Sequence, residues 1–156
     1  MSILIGLHAF LGEAGALAFL WVVVELLSSS QSSLRRARLA ALLGVLFLLG
    51  SWVAGGTHYL TDYATVVKPV IKEGPLPWAH SVITETKEHL FLFLPFLALL
   101  TWGLLKRYQD EFMQNRNLRV AALSLSVLIV LMAFAMAGMG FLISSGFRAA
   151  LEAQVL

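Results

Sequence analysis

The segment Glu85-Thr86-Lys87-Glu88-His89 comes nearest to chemistry in residue type and spacing. On a helix Glu85 and His89 stand at i and i+4, and Glu88 lies three positions after Glu85. Two carboxylates and an imidazole then form one patch able to chelate a metal ion. Helical bundles build di-iron sites from Glu and Glu-x-x-His sets on facing helices; here the order is Glu-x-x-Glu-His, and it occurs once. The alternative is an interfacial turn whose charges face water or pair with Lys87.

Three more histidines belong to the same question. His8 lies one turn inside a first apolar run, His58 near the far end of a second, and His80 and His89 lead into a third. Two imidazoles from different helices at one height are what bis-histidine haem b requires. The expected ligands are therefore His8, His58 and His89 for a haem, or His8, Glu85, Glu88 and His89 for a divalent metal such as iron. Gly12, Gly55 and Gly56 would leave room for a porphyrin. Glu13 lies about 7.5 Å deeper than His8 along a helix and some 140° around it, so a second-shell or proton-accepting role facing the bundle is expected. His80, beside Trp78, is expected to support the site by hydrogen bonding or to dock a partner. The alternative is that interfacial histidines bond only to headgroups, water or carboxylates, although ionisable groups within a membrane are costly.

These side chains need elements to hold them. Hydrophobic residues make up 59% of the 156 and charged ones 13%, too little polar surface to solvate a free globule. A hydrocarbon core of about 30 Å takes roughly 20 helical residues. The apolar runs at about residues 4–27, 39–60, 80–107 and 118–146 each reach that length, and none alternates with the period of a strand. The expectation is an all-α, membrane-embedded, four-helix up-down bundle forming a single domain over residues 1–156. No basic stretch precedes the first run, which is expected to stay as an anchor rather than be cleaved.

Arg35, Arg36 and Arg38 flank the first connection, and Lys106, Arg107, Arg116 and Arg119 the third. The excess of basic residues places both in the cytoplasm, both termini outside, and the chain in the plasma or inner membrane as a multi-pass protein. Glu25 is expected to snorkel or pair with Arg35 or Arg36. The outer connection carries Lys68, Pro69, Gly74, Pro75, Pro77 and Trp78, a composition that fixes a compact path over the outer end. Tyr59, Tyr63 and Trp78 read as its aromatic belt. Pro95 should bend the third helix. Small residues on the first, second and fourth runs allow close packing in lipid.

Several functions are excluded. The chain has no cysteine, hence no disulfide, no Cys-ligated iron–sulfur cluster and no thioether-bound haem. A net charge of +2 concentrated beside membrane spans gives no nucleic-acid surface. The inner halves of the spans offer only Ser51, Thr101, Ser124 and Ser126 as polar breaks, against what a conducting path through the midplane needs.

At Pro77-Trp78-Ala79-His80 and Lys87-Glu88-His89 the chain resembles a group of uncharacterised bacterial four-helix integral membrane proteins, over about His8 to Tyr108. Where that group has aromatic residues after the paired glycines, this chain has Thr57 and His58, so the resemblance does not extend to His58. It implies a four-helix membrane fold and brings no activity. The residues themselves lead to three expectations. The first is a redox or electron-transfer subunit holding a metal or haem b and meeting the lipid bilayer, a quinol or a larger membrane complex. The second is a cofactor-free scaffold or assembly subunit of such a complex, and the third, disfavoured rather than excluded by the apolar inner halves of the spans, a small transporter.

Overall fold

The computed structural model describes residues 3–28 and 30–155. These form four long helices, α1 (Ile3–Leu27), α2 (Gln31–Glu73), α3 (Ala79–Arg107) and α4 (Arg116–Val155), each long and apolar enough to cross a membrane. No strand occurs among the described residues. Local chemistry sets the breaks. The Ser30 hydroxyl accepts from the Ser33 amide at 3.1 Å and starts α2, while the Asn115 side-chain oxygen accepts from the amides of Asn117 and Leu118 and starts α4. Each satisfies first-turn donors that have no partner within their own helix. Gly74 leaves α2 in an extended conformation just before Pro75. Pro95 cannot donate to the Phe91 carbonyl, and α3 is interrupted at Leu92, between Glu85–Phe91 and Phe93–Arg107.

Consecutive helices run in opposite directions, and α4 returns to α1, so that α1–α2, α2–α3, α3–α4 and α4–α1 contacts close a ring. One end of the bundle gathers the basic residues. There Arg36 grips Glu25 through two donors at 2.7 and 2.8 Å, and Arg38 hydrogen-bonds Gln109. The histidines lie towards the other end, the one called outer in the sequence-based expectation. The core between the ends is apolar, with Phe19, Val22, Ala37, Ala98, Leu105 and Ile129 at its centre. Glycines set the α1–α2 approach: a Cβ on Gly15 would lie 2.8 Å from the Leu48 side chain, and one on Gly44 2.6 Å from the Phe19 ring.

The largest departure from the sequence reading is at the outer connection. Residues 61–73 continue α2 instead of forming a Pro/Gly-shaped loop, and only residues 74–78 leave the helix. The physical reason is a wide helical turn. Residues Tyr59–Val67 are π-helical, and the Lys68 amide reaches back five residues to the Tyr63 carbonyl. Pro69 then falls in the first turn of the following segment, where a missing N–H costs nothing. The start of α3, Ala79–Thr84, is also π-helical. These two segments pack on the far part of α4 around a second core of Tyr63, Ile71 and Ala79, with Ile143 and Phe147 against it. A Cβ on Gly146 would lie 2.6 Å from that of Ala79, and one on Gly74 would collide with Ala150. The outer end is thus a closely packed three-helix cap of α2, α3 and α4.

Candidate functional site

His8 and Ser51 form the first polar contact below the cap. The imidazole Nδ1 lies 2.9 Å from the Ser51 carbonyl oxygen, which can only accept, so Nδ1 carries the proton. The Ser51 hydroxyl donates in turn to the His8 carbonyl at 2.9 Å. Two helices are joined by a reciprocal pair that satisfies backbone acceptors on both. Gly55 and Gly12 make the space. A Cβ on Gly55 would sit 2.6 Å from the His8 ring, and one on Gly12 3.3 Å from the Ser51 hydroxyl. Phe91 of α3 meets the same ring edge-on at 5.8 Å and stacks on Trp52. The clearance expected for a porphyrin at Gly12 and Gly55 is taken up by this packing.

The cap holds the second polar contact, built by side chains that join its two π-helical segments. The Tyr63 oxygen lies 3.0 Å from His80 Nδ1 and 2.7 Å from the Thr84 hydroxyl, and Thr84 donates to the Ala79 carbonyl at 3.0 Å. Counting protons fixes the direction. The Thr84 hydrogen goes to the carbonyl, the Tyr63 hydrogen to Thr84, and His80 must donate from Nδ1 to Tyr63. All three side chains are buried. Tyr59 stacks on Tyr63 at 5.3 Å and its hydroxyl stands beside the Glu88 carboxylate. One Glu88 oxygen is buried with no hydrogen-bond partner among the described residues.

The remaining expected ligands are divided between faces of the helices. Glu85 and His89 are exposed, and His89 Nδ1 donates to the Glu85 carbonyl at 2.6 Å. A surface groove runs past Ser81, Val82, Glu85, Thr86, His89 and Leu90. Glu88 turns inward, as does Lys87, whose ammonium would lie 3.1 Å from a Cβ on Gly140 of α4. His58 pairs with Asp62 at 3.2 Å along its own helix. Among the described residues no three His, Asp or Glu side chains gather as a metal site would require.

Glu13, expected to face the bundle, is exposed on the outside of α1. The buried face of α1 runs through Gly15, Ala16, Ala18, Phe19, Val22 and Leu26, and Glu13 stands about 180° from Val22 at 100° per residue. Ser51, Thr84 and the hydrogen-bonding role of Tyr63 were not legible in the sequence, because each acts on a partner far along the chain. Only the i, i+4 spacing of His80 and Thr84 hinted at a shared face.

Fold and site together define an all-helical bundle with two internal polar contacts and an exposed His/Glu stripe. No protein-family model, curated protein or solved structure matches the chain.

Proposed function

We propose that the protein is a multi-pass membrane protein with its basic connections in the cytoplasm, serving as a scaffold or docking subunit of a larger membrane complex. The orientation rests on Arg35, Arg36, Arg38, Lys106, Arg107, Arg116 and Arg119 at one end of the bundle. Reporters inserted after Ser33 or Asn115 should score as cytoplasmic in a fusion assay; finding either outside reverses the orientation.

The observation that carries the docking role is the exposed stripe on the rigid cap. At 43 residues, α2 is about 64 Å long, twice what the hydrocarbon needs, so the cap projects beyond the bilayer. Trp78, which caps the start of α3, and Val82, Glu85 and His89 along it are all exposed at intervals of three and four residues. An aromatic anchor and an aliphatic neighbour followed by a carboxylate and an imidazole fit the extramembrane segment of a partner protein with an apolar residue and a basic one at matching spacing. The internal histidines hold helices together, which suits a platform.

The complex isolated from native membranes should shrink to the bare chain, or to its own oligomer, in the Trp78→Ala, Glu85→Lys double variant, with membrane insertion unchanged. An assembly of the same size in wild type and variant overturns the proposal. A second reading has one observation in its favour. Nδ1 donation at His8 and His89 leaves each neutral ring with Nε2 as its open nitrogen, the arrangement that metal-binding imidazoles use. A metal or haem b at near one equivalent in the purified protein, lost in His89→Ala, would establish that redox reading instead.

A further inference from the structure

Lys87 and Glu88 both turn into the bundle, and each keeps a polar atom that no other side chain meets. Lys87 is only partly exposed, yet it makes no hydrogen bond or ion pair among the described residues. One Glu88 oxygen is buried and equally unpartnered. The two residues stand four and three positions before Phe91, whose ring meets His8 edge-on, so both face the same junction. The Lys87 Nζ lies against Gly140 of α4, where a Cβ would come within 3.1 Å, and near enough to His8 for its charge to act on the imidazole. The meeting point of α1, α3 and α4 thus offers N–H groups that need an acceptor and, on the next residue, an oxygen that can take a donor. Leaving such groups buried and unmet is costly. Nineteen positions separate Lys87 from Lys106 at the basic end. At 1.5 Å per residue that is about 28 Å, against a hydrocarbon core of about 30 Å, which sets Lys87 at the level of the headgroups of the opposite leaflet. This placement rests on the membrane reading given above, though not on the docking role of the cap.

We propose that Lys87 and Glu88 bind the headgroup of a phospholipid that carries both a phosphate and a primary ammonium, as phosphatidylethanolamine does. The phosphate accepts from Lys87, a side chain that binds phosphate as a point charge, and the ammonium donates to the open Glu88 oxygen. Basic positions between membrane helices take headgroups in this way. A choline headgroup has no N–H and meets only the first need; a glycerol headgroup has hydroxyl donors but no cation for a carboxylate. Ala137, exposed three positions before Gly140, continues the Gly140 face towards the midplane with only a methyl group, which leaves a lane for an acyl chain.

Native mass spectrometry of the protein in detergent micelles with equal amounts of phosphatidylethanolamine, phosphatidylcholine and phosphatidylglycerol tests this. The wild type should retain the ethanolamine lipid in preference to the other two. Lys87→Met should weaken its binding about tenfold or more, the worth of a hydrogen bond to a charged group, whereas Lys72→Met, exposed on the cap, should bind as wild type does. Glu88→Leu should keep phospholipid bound but lose the preference for ethanolamine over choline. Excess inorganic phosphate or soluble phosphoethanolamine should not displace the lipid, since neither fills the acyl lane. Resistance to carbonate extraction, measured on every variant, reports membrane insertion separately, and a wild type that carbonate removes would sink the membrane reading itself. Equal retention of the three lipids, equal losses in Lys87→Met and Lys72→Met, or an ethanolamine preference that survives Glu88→Leu overturns the proposal. Displacement by either soluble phosphate overturns it in favour of a soluble ligand, and lipid binding untouched by Lys87→Met overturns it in favour of water as the partner of both groups.

Discussion

Gly44→Leu is expected to destabilise the bundle by about 3 kcal/mol or more, the upper range for overpacking a filled interior. A Cβ at this position already falls 2.6 Å from one Phe19 ring carbon, 2.7 Å from the next and 3.4 Å from the Ala18 Cβ. Phe19 is fully buried, so its ring cannot swing out, and α1 and α2 must separate. Gly103→Ala and Gly138→Ala provide the contrast. Nothing lies within 4 Å of a Cβ at either, and each should be neutral or stabilising by up to about 1 kcal/mol through helix propensity. The midpoint of unfolding in a titration of mild detergent with a denaturing one checks all three. A Gly44→Leu midpoint equal to wild type would show that the α1–α2 register is wrong.

Tyr63→Phe should open the cap and leave the four-helix bundle closed. The substitution removes the oxygen that accepts from His80 and donates to Thr84, leaving a buried imidazole N–H without an acceptor. Such an orphaned group costs roughly 1–3 kcal/mol. The cap has its own core, so the loss should appear as local opening: faster amide exchange over residues 79–84 and a change in Trp78 emission, with the global midpoint little altered. Adding His80→Leu should restore part of the protection, because replacing both partners by apolar groups removes the orphan. Protection indistinguishable from wild type in the single variant would mean that Tyr63 is only a packing residue.

The extent to which this fold was legible follows from the range of each signal. Apolar runs of bilayer length are local, and all four helices follow from them; the first agrees with the structure to within a residue at its start. The helices α2 and α4 run on past their apolar runs at this end, because residues 61–73 and 147–150 pack into the cap, which no local hydropathy reports. Pro69 read as a loop residue because a proline inside an ordinary helix is disruptive, whereas a π-helical turn before it removes the conflict. The His and Glu residues lie towards one end of the bundle but on different faces of their helices, which hydropathy does not report. His8 turned to Ser51, 43 residues away, and Glu13 followed the outward side of α1 as soon as the small residues took the inward one.

The unequal helix lengths have a consequence for the order in which the molecule can be completed. The cap draws its second core from α2, α3 and the far stretch of α4, where Ile143, Gly146, Phe147 and Ala150 meet the rest. While the ribosome is still adding those residues, the first three spans can already associate, yet Tyr63, Ile71 and His80 have nothing to shut against. Closure of the cap therefore waits until residues 143–150 have been made. A chain stopped before them would hold its cap open, with the Tyr63–His80–Thr84 contact exposed to solvent.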